Sequence, residues 1–325
     1  RLELPTWVRI EAGVVPRERR DHAMAYDAAR GVVVLHGGQA AAGPVGDTWE
    51  WNGSAWARRR PGIAPAARFG HAMAHDASRG RTLLFGGLGD LALLSDTWAW
   101  DGSTWTPLDL VAAPSPRQDH ALVHDAGRGT TVLFGGVTEE GPAGDTWAWD
   151  GVSWTELAPT TRPPPRYGHA MAYDPVRGRI VLFGGRDGVG SFDDTWEWDG
   201  TDWIERLPAA SPIPVFDHVM AFDARRGRVI LQGGRLNDML LHSRTWAWEG
   251  TSWTVLNPPV DPGNRDKAAL IYDIRSAHLV FFGGETYSGI QNDLFVGDGD
   301  TWTPWMPPRL PPARYWHALA HDPDR

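Results

Sequence analysis

Residues 166–203 read RYGHAMAYDPVRGRIVLFGGRDGVGSFDDTWEWDGTDW, and the landmarks of this stretch return along the whole chain. Gly-Gly pairs begin at Gly37, Gly86, Gly135, Gly184, Gly233 and Gly283, a step of 49 residues four times and then 50. His22, His71, His120, His169 and His218 keep the step, with Ala268 in the sixth place and His317 after it. Trp49, Trp98, Trp147, Trp196 and Trp246 form a third series, followed by Phe295. Trp51, Trp100, Trp149, Trp198 and Trp248 form a fourth, followed by Gly297, and Trp7, Trp56, Trp105, Trp154, Trp203, Trp253 and Trp302 a fifth. One residue inserted between Gly234 and Trp246 explains each step of 50. Such a period marks stacked repeats, each too small to bury its own faces alone.

The second unit shows how a repeat is built. Alternation and Val/Leu/Phe/Trp content over His71–His75, Arg81–Phe85, Thr97–Trp100 and Ser103–Leu108 predict four short strands, a to d. The stretch from Asp76 to Gly80 predicts a tight a–b turn, with Gly80 suited to positive φ, and Asp101-Gly102 predicts the c–d hairpin. No stretch carries a sustained helical period. The expected fold is an all-β propeller of four-stranded blades in a single domain over 1–325. Its repeats fall at about 13–61, 62–110, 111–159, 160–208, 209–258 and 259–307.

The pattern R-[YF]-G-H-A-M-A-Y-D…G-R-x-x-L-F-G-G…D-T-W-x-W-D-G-x-x-W resembles the bacterial type of kelch-repeat β-propeller. Arg166-Tyr167-Gly168-His169, Gly184-Gly185, Asp194-Thr195-Trp196 and Gly200-Thr201-Asp202-Trp203 match it, and the resemblance runs from about residue 6 to 325. It implies Gly-Gly at the end of strand b and a Trp near the end of each repeat, but it implies little about function. The repeats are also similar to those of the galactose oxidase central domain. That family's copper site needs a tyrosyl radical cross-linked to cysteine, and this chain has no cysteine. Iron-dependent kelch proteins imply a carboxylate–histidine cluster, but no Glu-x-x-x-Asp-x-x-x-His run occurs. Sialidase Asp-boxes place one residue between Asp and Gly, whereas Asp101-Gly102, Asp150-Gly151 and Asp199-Gly200 have none. No cofactor and no metal is expected.

Units a–d are complete six times, from about Arg17 to Trp302. An orphan strand d surrounds Trp7, and an orphan strand a runs from Arg314 to His321. Arg325 aligns with Arg79, inside an a–b turn. The expectation is therefore a seven-bladed ring whose split last blade draws on 1–12 and 308–325. Its strands b and c, on the order of 25 residues by the period, are not in this sequence. The alternative is a six-bladed ring with surplus terminal strands.

Composition narrows the partners. The net charge of −9, with Lys267 the single lysine, argues against a nucleic-acid ligand. No apolar run approaches the length of a membrane span. A monomer, or a module of a longer bacterial surface protein, is expected in the extracellular space or periplasm, with the cytoplasm open. Nineteen Trp against six Tyr suggests a sugar-binding surface, yet the series account for all but Trp305 and Trp316.

The repeated polar residues read first as structure. His71 and His75 would lie roughly 13 Å apart on a strand at ~3.3 Å per residue, too far to chelate one ion. Arg19, Arg68, Arg117, Arg166, Arg265 and Arg314 precede the His position by three residues, with Val215 the break. Asp47, Asp96, Asp145, Asp194 and Asp293 open strand c, with Arg244 the break in the same unit. The shared break suggests an ion pair within each blade, passing over the Gly-Gly of strand b. The competing reading of these arginines is an electropositive mouth for an anion, which the aspartates would neutralise.

Function is expected on the face formed by the b–c and d–a loops, which vary between units while the a–b and c–d turns do not. Candidate ligand-binding residues there are Trp316, Trp305, Tyr287, Phe192, Arg186, Asp187, His242 and Asn237, with Glu139 and Glu140 nearby. Trp316 stands where other units have Gly or Asp. Lys267 and Ala268 also depart from the pattern. The leading reading is a non-catalytic scaffold binding a protein or glycan. Alternatives are a sugar-acting enzyme, such as a kelch-type epimerase or lyase, and a purely structural module. Two or more carboxylates converging at the channel mouth with a His or Arg, and free of ion-pair partners, would favour the enzyme. A flat exposed aromatic patch would favour binding.

Overall fold

The computed structural model describes residues 15–306. It is all-β, and among the described residues there is no helix. Six antiparallel four-stranded sheets follow one another in chain order, each paired a-b-c-d. Blade 1 consists of Ala23–Asp27, Val32–His36, Thr48–Trp51 and Trp56–Arg59, and blade 2 of Ala72–Asp76, Arg81–Phe85, Thr97–Trp100 and Trp105–Leu108. Strand d of blade 2 starts later than the sequence suggests. Asp101 Oδ1 accepts the Ser103 and Thr104 N–H groups, each at 2.8 Å, and holds both residues in the turn.

Tryptophan joins the blades. The first Trp of strand d stacks on the last Trp of strand c, as Trp105 does on Trp100 at 5.3 Å between centroids. In blades 2 to 5 its indole N–H then crosses to the preceding blade. Trp105 donates to Thr48 Oγ1 (2.9 Å), Trp154 to Thr97, Trp203 to Thr146 and Trp253 to Thr195. In blade 1 the equivalent indole of Trp56 has no partner, because blade 6 carries Leu294 where the others carry Thr.

The Gly-Gly pair lies between two neighbouring strands a. A Cβ on Gly86 would meet the His120 ring of the next blade at 3.2 Å, and one on Gly87 would meet His71 Cβ of its own blade at 2.8 Å. Both residues also take positive φ, so Gly is required twice over.

Arginine staples the opposite face. Arg79 Nη1 binds Asp76 Oδ2 (2.6 Å) and the Gly129 carbonyl of the next blade (3.1 Å), while Nη2 donates to the Asp150 carbonyl of that blade's c–d hairpin. Arg128 and Arg177 repeat the contact one and two blades on.

Blade 6 packs directly on blade 1. Trp56 meets Phe282 at 5.1 Å, Trp51 meets Trp305 at 4.7 Å, and Gly284 N–H donates to the Arg19 carbonyl (2.9 Å). Equivalent contacts join the other neighbours, so the ring closes with six blades and leaves no gap for a seventh. This corrects the seven-bladed expectation in favour of its six-bladed alternative. The terminal strands assigned to a split blade, and Trp316 with them, lie outside the described residues.

Candidate functional site

The residue two positions before strand a in each blade lines the propeller axis. In order these are Asp21, Gly70, Asp119, Gly168, Asp217 and Lys267. Each backbone N–H donates to the carbonyl of its equivalent in the preceding blade, at 2.7–3.0 Å, and Asp21 to Lys267 completes the circle. The circle demands a left-handed backbone. Gly70 and Gly168 have φ of 63°, and Asp21, Asp119, Asp217 and Lys267 have φ of 52–55°. Glycine adopts that conformation freely, whereas an L side chain there costs of order 1–2 kcal/mol.

The side chains enclose a mouth cavity of about 140 Å³ on the b–c/d–a loop face. Lys267 Nζ lies 3.4 Å from Asp21 Oδ2 and 3.9 Å from Asp217 Oδ2. Asp119 has no such partner. Burial, then the Asp21 and Asp217 charges, push its carboxyl up to about 8. Burial raises Asp217 to about 7 against the pull of Lys267. Burial also raises Asp21, again opposed by Lys267. Burial disfavours the charged ammonium of Lys267, yet the surrounding carboxylates win and raise its pKa.

His22, His71, His120, His169 and His218 line the floor of the cavity. They are only 5–6 % exposed; among the described residues neither ring nitrogen of His22 or His71 has a hydrogen-bond partner, while His120, His169 and His218 face the backbone of Phe85, Phe134 and Phe183. Each packs against an aromatic ring of the preceding blade, as His120 does edge-on to Phe85 at 5.5 Å. Burial, then the nearby Arg117, pulls His120 down to about 3, so the imidazole is neutral.

The rim is uneven. On the side of blades 5, 6 and 1 it is ion-paired, Arg235 with Asp266 and Arg20 with Glu285. On the side of blades 2 and 3 the residues next to the ring are Phe69 and Gln118, whose backbones pair with Leu88 and Val137. The shaft behind the floor is mostly apolar, lined by Met24, Met73, Leu122, Met171, Met220 and Leu270.

The arginine and aspartate series lie inside the blades. Arg19–Asp47 (2.7 Å) and, at 2.6 Å each, Arg68–Asp96, Arg117–Asp145, Arg166–Asp194 and Arg265–Asp293 are bidentate. Each Nη1 also donates to the carbonyl of the first Gly of the pair. These arginines are buried within their blades and do not line the mouth. In blade 5, Val215 is fully buried in the Arg place, and Trp246 Nε1 is unpartnered because Arg244 replaces the acceptor that Asp96 offers Trp98 at 2.6 Å.

The loop candidates do not converge on one pocket. Arg186 binds Asp238 (2.6 Å) and lies over the Phe216 ring at 4.5 Å. Tyr287 is exposed, and its hydroxyl accepts the Leu241 N–H at 2.8 Å. These contacts tie the loops of blades 4, 5 and 6 together. Asp187 and Asn237 cap their own turns. Phe192 lies beneath the Arg166 guanidinium, His242 is buried, and Trp305 lies in the seam with Trp51. Sequence reasoning missed Asp21, Asp119 and Asp217. Their signal was the Asp/Gly alternation at one repeat position.

No protein-family model matches the chain, and no curated protein sequence matches it. Among solved structures the chain resembles one titled "Structure of YjhT", with a TM-score of 0.68 at 17% identity, covering 90% of this chain and 99% of that one. The likeness bears on the propeller fold.

Proposed function

We propose that the chain is a non-catalytic recognition propeller of the kelch type that takes the end of a glycan into its axial mouth. One observation carries this reading. Three aspartates and a lysine occupy a left-handed position that glycine fills equally well in blades 2 and 4. They cost backbone strain and carboxylate burial, and the ring hydrogen bonds do not need their side chains. Side chains kept at such a cost are expected of a ligand site. The cavity volume, a few waters' worth, suits a sugar ring or a side-chain tip more than a folded surface. Carboxylates accept sugar hydroxyls, and the Phe69 side of the rim offers an apolar face. Glycan-array and pull-down screens test this. Selective glycan capture that Asp119→Gly abolishes is expected, and blank results in both screens contradict it. Capture of a protein alone would move the reading to the protein ligand.

One observation favours the second reading, a sugar-acting enzyme. A carboxyl held protonated at neutral pH is suited to general-acid work, and Asp119 has that character. Asp21 and Asp217 both contact Lys267, so among the described residues only one carboxyl at the mouth is free of an ion-pair partner. Product formation from an array-selected glycan, abolished in Asp119→Asn, would establish this reading. Unchanged substrate would exclude it for that glycan.

A further inference from the structure

We propose that the mouth is built to receive a primary ammonium group, and that its ligand is an amino sugar. This rests on the glycan reading and narrows it. Asp21, Asp119 and Asp217 occupy blades 1, 3 and 5, so three equivalent positions lie between them, in blades 2, 4 and 6. Blade 6 fills its position with Lys267, whose ammonium bridges Asp21 and Asp217. Blades 2 and 4 have glycine there and fill nothing.

The aspartates of the next blades lean into the space a side chain would need at those glycines. A Cβ on Gly70 would meet Asp119 Oδ1 at 2.7 Å, and one on Gly168 would meet Asp217 Oδ1 at 2.5 Å. Lys267 is thus the molecule's own example of what satisfies a carboxylate pair in this ring. The glycine positions on either side of Asp119 match it in backbone conformation and each faces an aspartate. The unpartnered imidazole of His71, which lines the floor, is a second, independent sign. His71 is a neutral hydrogen-bonding group buried beneath this half of the mouth, and among the described residues neither of its ring nitrogens has a partner. Buried polar groups ordinarily have partners. An ammonium group has three N–H donors, enough to reach two carboxylates and one ring nitrogen. Asp119 is held protonated beside its neighbours, and an ammonium placed next to it favours its ionisation, which a neutral hydroxyl does not.

The test is calorimetric titration of the full chain with glucosamine trimer, its N-acetylated counterpart and 1,4-diaminobutane. The expected result is at least tenfold tighter binding of the free-amine trimer than of the acetylated one, with the diamine weaker than the sugar. Asp119→Asn should remove the preference. Gly70→Lys should also abolish it, by shifting the Asp119 carboxyl and setting the protein's own ammonium beside it, as Lys267 sits beside Asp21 and Asp217. Circular dichroism confirms that each variant is folded, and either variant suffices if the other fails. Equal affinity for the two trimers, or a preference that survives both substitutions, overturns the inference. Binding of the diamine without the sugar overturns the amino-sugar assignment. If neutral glycans bind and the amine gives no preference, the glycan reading stands and the ammonium inference falls. If no glycan binds, both fall.

Discussion

Asp119 shows what the ring position costs. Its carboxyl releases a proton near pH 8 in the folded protein, against an ordinary value of 3.8. Between those values the folded state holds a proton that the unfolded chain has lost, so stability falls as pH rises from about 4 to about 8. Asp119→Gly removes both this slope and the left-handed strain, and thermal melts should show its gain in Tm growing across that range. The histidines act in the opposite direction. His120 titrates at about 3 when folded and at 6.5 ordinarily, so stability falls as pH drops from 6.5 toward 3. His120→Ala, the residue blade 6 already carries as Ala268, should flatten the acid limb of a pH–stability curve. The Asp/Gly alternation is plain in the sequence, but its meaning is not. That these side chains meet across the axis follows from six blades closing, which no single repeat encodes.

Within an element, each Arg–Asp pair fixes the start of strand a to the start of strand c. Arg166 is fully buried and Asp194 mostly so. Arg166→Ala leaves a buried carboxylate unpaired and should cost ~3–5 kcal/mol in chemical denaturation. Adding Asp194→Ala should cost little more, and an additive double-mutant cycle would refute the coupling. Blade 5 offers the converse. Val215→Arg alone buries an unpaired guanidinium beside Arg244, and Val215→Arg with Arg244→Asp should recover most of the loss. This layer was the most legible, because Val215 and Arg244 break two series in one unit. The Arg79, Arg128 and Arg177 staples follow the same period. Their target is the next blade's carbonyl oxygens, which leave no mark in a sequence.

For the whole molecule, the seam between blades 6 and 1 decides integrity. Trp56→Ala removes the contacts with Phe282 and should lower stability by ~3–5 kcal/mol. The repeat predicted blades and their strands almost residue by residue. It could not count them around the axis, because terminal segments in phase with the period read as part of another blade. The mouth was illegible for a related reason, since its charge pattern exists only across blades. The most direct measurement pairs a thermal melt with glycan binding on Asp119→Gly at neutral pH. A higher Tm together with at least a tenfold loss of affinity is the predicted result. Unchanged affinity, or a lower Tm, would contradict a mouth that trades stability for recognition.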